Sequence, residues 1–302
     1  MKIKEIKKRQ HTIPRLYLEG FCDRNDMIWT YSKNDPQPYP RKPENVSIEN
    51  FFYTFHGASI DPNTFEDALE SIVETPAATP LKQLRECKLP SSDDRQRLAI
   101  LFGFMLVRTP SYRNTSDDLI NKGLNLRLQK MAEDMGSFRK SWQEYNEKHA
   151  GVPFPEDFKA LRESILKGDF KIELNPNYSL LVIQKLGLDF SFLLSSMKWM
   201  IYKTTDNINF VTADNPVLIE SGQFDIFNPS FLLATGSRIF IPISKSAGLA
   251  MVREKEETSD TEIVAANPDT VIQLNKKLCA NAKRYVYASE NNDVVKDYLK
   301  MV

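Results

Sequence analysis

The chain has 302 residues, with 40 Lys and Arg against 40 Asp and Glu, and 41% of its residues are hydrophobic. This composition is typical of a folded globular protein and excludes an extensively disordered chain. The balanced charge argues against a strongly basic surface that binds nucleic acid through its overall charge. A local basic patch is still compatible with this composition. Its 3 cysteines form no CxxC pair, so we expect no disulfide framework and predict a reducing, cytoplasmic location.

Targeting and membrane signals are not expected. The basic N-terminal residues MKIKEIKKRQ are not followed by the apolar core of a secretory signal. The most apolar run, Leu98 to Val107, is about half as long as a spanning helix requires. The longer stretch from Leu180 to Tyr202 contains Lys185, Asp189 and Lys198, and charges are costly in the hydrocarbon core.

The N-terminal third predicts a small α/β element. Pro14 suits the first turn of a short helix over Leu16 to Phe21, and Met27 to Tyr31 is typical of a strand. The prolines between Asn34 and Pro43 predict a stiff loop without regular structure. From about Asn63 the apolar residues recur at helical spacing.

The centre of the chain predicts helices. Ser91, Ser92 and Asp93 offer capping oxygens to an apolar helix that Pro110 ends. A long charged helical region follows, with a break at Gly136. Further helices are predicted from about Pro155 to Lys167 and from about Tyr178 to Tyr202.

The C-terminal third predicts a mixed sheet with a helix. A helix opens at Asn267, Pro268 and Asp269, and Tyr285 to Ala288 follows as a strand. The preceding short β-rich runs are Asn209 to Thr212, Pro216 to Glu220, Arg238 to Ile243 and Gly248 to Arg253. This order predicts an α+β fold. We place a sub-boundary near residue 205, and the N-terminal strand is free to join the C-terminal sheet.

Several catalytic and cofactor motifs are missing from the sequence. It contains no GxxxxGKS/T loop, GxGxxG turn, HExxH pair or GxSxG elbow. Histidine occurs only at His11, His56 and His149, so we predict no metal site and no cofactor.

The first candidate site is the segment QHTIPRLYLEGF. Gln10, His11, Arg15 and Tyr17 bring amide, imidazole, guanidinium and phenol groups close together around a helix start. His11 titrates near neutral pH and is a candidate catalytic acid or base, with the other three as binding residues. In the alternative interpretation, Gln10 and His11 cap the helix or bond to buried backbone.

The second candidate site is the segment NFVTADNPVLIE. Pro216 imposes an extended or turn conformation on Asn215, which presents Asp214 and Asn215 at the end of an apolar strand. Asp214 is a candidate catalytic residue and Asn215 a candidate binding residue. The alternative is an Asx turn in which Asp214 only satisfies local backbone N–H groups.

The third candidate is Arg108, at the end of an apolar helix. Its guanidinium suits a phosphate or carboxylate clamp. The alternative is a salt bridge to Asp214 or to one of Glu66, Glu70 and Glu74. Metal binding by Glu66 and Glu70, one helical turn apart, has little support.

At these residues the chain resembles an uncharacterised, mainly microbial family known as domain of unknown function 4238. The matching segments occur in the expected order: His11 to Phe21, Trp29 to Lys33, Glu49 to Tyr53, Arg108 to Pro110, Trp199, Phe210 to Val217, Phe240 to Ser244 and Asn275 to Tyr285. The resemblance implies one domain over residues 1–302. It brings no activity, cofactor or catalytic residues.

Two functions follow from these patterns. The favoured hypothesis is a metal-independent hydrolase or nuclease acting on a phosphate-bearing substrate, with His11 as acid or base, Arg108 as anion clamp and Asp214 as orienting group. The alternative is a non-catalytic binding or regulatory module in microbial defence or stress response. Under either hypothesis the partner of this protein is a small molecule, a nucleic acid or a protein. The sequence does not decide whether the protein is an enzyme.

Overall fold

A computed structural model describes residues 5–35, 37–57, 60–148, 157–205, 208–221, 227–255 and 260–300. Its α-helices are α1 (Arg15–Leu18), α2 (Thr64–Ala68), α3 (Thr75–Arg85), α4 (Ser92–Val107), α5 (Pro110–Glu133), α6 (Met135–Lys148), α7 (Phe158–Lys167), α8 (Pro176–Ser195), α9 (Pro268–Asn281) and α10 (Asp293–Lys300). A π-helical turn over Leu69–Glu74 connects α2 to α3.

Within the described residues, the strands form three sheets. β1 (Arg9–His11) pairs with β4 (Ile48–Asn50). An antiparallel four-stranded sheet has the order β3-β2-β11-β6 and contains β2 (Ile28–Ser32), β3 (Tyr39–Arg41), β6 (Thr212–Ala213) and β11 (Tyr285–Ala288). A mixed five-stranded sheet has the order β10-β5-β9-β8-β7 and contains β5 (Lys198–Thr204), β7 (Leu218–Glu220), β8 (Arg238–Ser244), β9 (Ala247–Val252) and β10 (Thr261–Ala266). The combination of helices with largely antiparallel sheets confirms the predicted α+β class.

The chain divides into two compact units. The larger unit combines Met1–Arg113 with Leu180–Val302, and the smaller one is Asn114–Ser179. Residue 205 therefore falls inside the larger unit. The larger unit has one contiguous core, in which Trp199, Phe102 and Phe190 are fully buried. The smaller unit has its own core, formed by Ala132, Phe138, Leu161 and Ile165.

Several local predictions are confirmed. The Ser91 hydroxyl caps α4 by accepting a hydrogen bond from the Asp94 amide at 3.2 Å. The long helical region is interrupted between α5 and α6 at Asp134, two residues before the predicted Gly136. β2 pairs with β11, so the N-terminal strand does join a C-terminal sheet. His149 and the GVPFP segment that follows it lie outside the described residues.

Two element predictions are wrong. The helix predicted from Tyr178 to Tyr202 ends at Ser195, and its last part is the strand β5. Along β5 the side chains of Trp199 and Ile201 are buried while their neighbours are partly exposed, which is the two-residue period of a strand. The proline-rich loop contains β3, which tolerates Pro40 because it lies at the edge of its sheet.

Within the described residues, α8 is long and apolar enough to cross a membrane. Length and composition alone support this reading, and the buried core helix of a soluble protein has the same features. In the larger unit, α8 contributes Leu186, Phe190 and Leu194 to the core. The helix is therefore weak evidence for a membrane span.

The close approach of α4 and α8 depends on Gly103. A Cβ atom on Gly103 would lie 2.6 Å from the Gly187 carbonyl oxygen and would overlap the Ser191 hydroxyl. We expect Gly103→Ala to lower the free energy of unfolding by about 1–3 kcal/mol, because two helix backbones must separate. Gly123→Ala is the matched control, since nothing lies within 4 Å of a Cβ there. It should stabilise α5 by about 0.5–1 kcal/mol. Urea denaturation measures both, and equal effects would contradict the packing argument.

Candidate functional site

Arg108 is the centre of a buried polar cluster at the end of α4, and its side chain is only 1% exposed. Its Nη1 donates to Glu74 Oε1 at 2.7 Å, and its Nη2 donates to the His11 carbonyl at 2.7 Å. Its Nε donates to the Thr12 carbonyl at 3.1 Å and to the Tyr53 hydroxyl at 3.2 Å. All three guanidinium nitrogens thus have protein partners, and the salt-bridge alternative is the arrangement observed.

Gln10 and Tyr53 complete this cluster from the side of β1. Gln10 is fully buried, and its Oε1 accepts a hydrogen bond from the Tyr53 amide at 2.6 Å. The Tyr53 ring stacks on Phe65 with 5.5 Å between centroids. This matches the alternative in which Gln10 bonds to buried backbone. We call Gln10, His11, Tyr53, Glu66, Glu74 and Arg108 the Arg108 cluster.

The Arg108 cluster contains buried polar atoms without a partner in the described residues. They include Gln10 Nε2, His11 Nδ1 and Glu66 Oε2. Burial, followed by the charge of Arg108, lowers the pKa of His11 below its usual value, so the imidazole is neutral at pH 7. Burial raises the pKa of Glu66 to about 7. Unsatisfied and perturbed groups of this kind concentrate at functional sites.

A pocket of about 260 Å³ lies next to the Arg108 cluster. The two are linked through Thr12 and Val46: both residues line the pocket, Thr12 accepts from Arg108, and the His11 imidazole hydrogen-bonds to the Val46 backbone. Further lining comes from Arg9, Tyr39, Arg41, Glu49, Asp214, Arg284, Tyr285 and Tyr287. We call this the arginine–tyrosine pocket.

Asp214 lies in the wall of the pocket and holds the start of β11. Its Oδ1 accepts from the Lys283 amide at 2.9 Å, and its Oδ2 accepts from the Arg284 and Tyr285 amides at 2.8 and 3.3 Å. Asn215 extends this connection by exchanging hydrogen bonds with Asn281. Asp214 thus satisfies backbone N–H groups, but those of residues 283–285 and not the local ones of the predicted Asx turn.

The pocket carries more positive than negative charge. Three arginines face two carboxylates, Glu49 and Asp214. Arg284 forms an ion pair with Glu49. Arg9 donates to the Asn45 side chain at 2.8 Å, and Arg41 lies over the Tyr39 ring at 4.7 Å. In the described part of the chain, neither Arg9 nor Arg41 has a carboxylate partner, and both residues line the pocket.

The predicted site residues are only partly brought together. His11 and Arg108 meet through the His11 carbonyl, and Asp214 lies across the adjoining pocket. Tyr17 is fully buried, with its hydroxyl 2.8 Å from Thr212 Oγ1, and burial raises its pKa. Arg15 is exposed and pairs with Glu19 at 3.1 Å. Tyr17 and Arg15 therefore do not line the arginine–tyrosine pocket.

Sequence reasoning missed the three arginines and three tyrosines of the pocket. A signal was present in β11, because Tyr285 and Tyr287 are two residues apart and share one face of a strand. Their rings are 6.4 Å apart and nearly parallel. The sequence around Arg9 and Arg41 gave no such signal. These residues lie far apart in the sequence, in β1 and β3, and they line the same pocket only in the folded protein. No group of three or more His, Cys, Asp or Glu side chains that would suit a metal ion occurs in the described residues.

Fold and site define an α+β protein with an arginine–tyrosine pocket beside a buried arginine cluster. The chain belongs to the family described as Protein of unknown function (DUF4238), whose profile matches residues 9–292. Among the curated proteins and the solved structures, no match to the chain was found.

Proposed function

We propose that the protein binds a phosphate-bearing ligand in the arginine–tyrosine pocket. The observation that carries this proposal is the pair Arg9 and Arg41, which open onto one pocket without a carboxylate partner among the described residues. Guanidinium groups bind phosphate through two parallel hydrogen bonds. The free cysteines support a reducing, cytoplasmic location as part of the same proposal.

The tyrosines favour a ligand that also carries an aromatic ring. Tyr285 is partly exposed and stands beside Tyr287 in the pocket wall. Arg284 lies over the Tyr285 ring at 5.8 Å. Bases stack on aromatic and guanidinium planes of this kind with little sequence preference. A nucleotide, or the end of a single strand, therefore fits the pocket better than inorganic phosphate does.

The binding test uses AMP and inorganic phosphate as probes in isothermal titration calorimetry at low salt. We expect Arg9→Gln/Arg41→Gln to weaken AMP binding about tenfold, because two charge-assisted contacts at an exposed site are lost. Arg24→Gln, an exposed arginine outside the pocket lining, is the control and should bind AMP like the wild type. Equal affinity in the double variant and the wild type would overturn the proposal.

Hydrolysis is the second candidate function, and the observation that favours it is the neutral His11 imidazole, which bonds to Val46 in the pocket wall and whose buried Nδ1 has no partner among the described residues. As a general base, His11 would take a proton from water while the water oxygen bonds to phosphorus. The ester P–O bond would break, and the proton would pass to the leaving oxygen. In a p-nitrophenyl phosphate assay, His11→Ala should abolish turnover. Binding of AMP without turnover in the wild type would instead favour the non-catalytic module.

A further inference from the structure

A second cavity lies on one face of the five-stranded sheet, beneath α9. Its volume is about 320 Å³, at the small end of the range for ligand pockets. The floor is formed by Tyr202, Phe240 and Ala250. The helical wall is formed by Thr270, Gln273, Leu274 and Lys277, which share one face of α9 at spacings of three and four residues. We call this the sheet–helix cavity.

Small residues on the central strand create this cavity. In β9, Gly248 lies between Tyr202 and Pro242, and Ala250 lies between Met200 and Phe240. A Cβ atom on Gly248 would lie 2.7 Å from the Phe240 ring, so glycine lets that ring lie close against the strand. Large side chains on both neighbouring strands thus enclose a recess with an apolar floor.

The rim of the sheet–helix cavity is dipolar. Lys277 forms an ion pair with Glu220, and Arg238 stands opposite Glu220 in the β7–β8 pair. This end therefore carries one net positive charge. Asp269 lies at the other end, eight residues before Lys277 in α9 and therefore about 12 Å away along the helix axis. Asp269 and Arg238 have no partner of opposite charge among the described residues.

We propose that the sheet–helix cavity binds a short zwitterionic peptide with an apolar side chain. An extended chain of three or four residues spans about 12 Å. Its amino group would face Asp269, its carboxylate would face Arg238 and Lys277, and its central side chain would enter the recess over Ala250. This ligand site is separate from the arginine–tyrosine pocket and does not depend on the function proposed there.

The test uses the tripeptide Ala-Phe-Ala, with N-acetyl and C-amide forms as charge controls, in isothermal titration calorimetry with the full chain at low salt. We expect saturable binding of the free peptide and a roughly two- to fivefold loss with either blocked form, because exposed charges contribute modestly. Asp269→Asn should abolish the difference between the free and the acetylated peptide, and Arg238→Gln should reduce the difference between the free and the amidated one.

Filling the recess tests the apolar contact. Ala250→Leu places a side chain over the cavity floor, and Gln273→Trp covers the cavity from an exposed position on α9. Both should abolish binding, and the second variant leaves the buried floor unchanged. Arg24→Gln is again the control and should bind like the wild type. No saturable binding to the wild type, equal binding of blocked peptides, or unchanged binding in both filled variants would each overturn the proposal.

Discussion

Arg108→Met should lower the free energy of unfolding by about 3–5 kcal/mol, the loss expected when one partner of a buried ion pair is removed. The substitution leaves Glu74 without its cation and removes the Arg108 donor of the Thr12 carbonyl, while the His11 carbonyl keeps only the longer hydrogen bond from the Tyr53 hydroxyl at 3.4 Å. Each buried acceptor that loses its donor costs about 1–3 kcal/mol. Urea denaturation measures the loss.

Two further variants sharpen this prediction. Arg108→Met/Glu74→Leu should regain part of the loss, because the carboxylate that Arg108 neutralises is removed together with it. Arg97→Met is the matched control, since Arg97 pairs with Asp94 at the surface at 3.4 Å and should contribute less than about 1 kcal/mol. A loss in Arg108→Met no larger than that in Arg97→Met would contradict a structural role for Arg108.

The same experiment bears on the anion-clamp hypothesis. Every guanidinium nitrogen of Arg108 already has a protein partner, so a phosphate would have to displace an internal hydrogen bond. Arg9 and Arg41 lie at the surface and need no such exchange. We therefore expect folded Arg108→Met protein to keep most of its AMP affinity, whereas the Arg9→Gln/Arg41→Gln variant should bind AMP about tenfold more weakly.

Sequence patterns predicted the parts of the fold that depend on local chemistry. The cap at Ser91 and the strand Tyr285–Ala288 follow from residue type and short-range spacing. The boundary between α8 and β5 does not follow from local chemistry, because a buried apolar run suits a helix and a strand equally well. The pairing of Lys198–Thr204 with β9 and β10 decides it, and that pairing is tertiary.

The partner of Arg108 shows the same limit within the site. Glu66, Glu70 and Glu74 would share one face of a regular α-helix, so spacing alone cannot choose among them. In the structure the π-helical turn Leu69–Glu74 intervenes. Glu70 pairs with Lys7 at the surface and Glu74 pairs with Arg108, whereas Glu66 is half-buried and its Oε2 has no partner among the described residues. Three similar residues thus have three different environments.

Glu66→Gln should make the protein more stable at pH 8 and leave its stability at pH 4 nearly unchanged. Burial raises the pKa of Glu66 from 4.5 to about 7, with Arg108 opposing the shift and Glu74 adding to it. Below pH 4.5 the carboxyl is protonated in both the folded and the unfolded chain. Between pH 4.5 and 7 the unfolded chain releases the proton and the folded chain keeps it, so stability falls as pH rises.

Above pH 7 this loss is complete and amounts to about 3 kcal/mol, at 1.36 kcal/mol for each unit of pKa. Glutamine removes the titration, so the variant should gain that amount relative to the wild type in urea denaturation at pH 8. The lowered pKa of His11 acts in the opposite direction, because it removes stability as pH falls below 6.5. This effect is the same in the wild type and in Glu66→Gln, so it cancels when the two are compared. Glu70→Gln, on an exposed neighbour, is the matched control and should show no comparable pH-dependent gain. Equal pH profiles of stability for Glu66→Gln and the wild type would mean that Glu66 is ionised in the folded protein. That result would contradict the conclusion that the Glu66 carboxyl stays protonated beside Arg108.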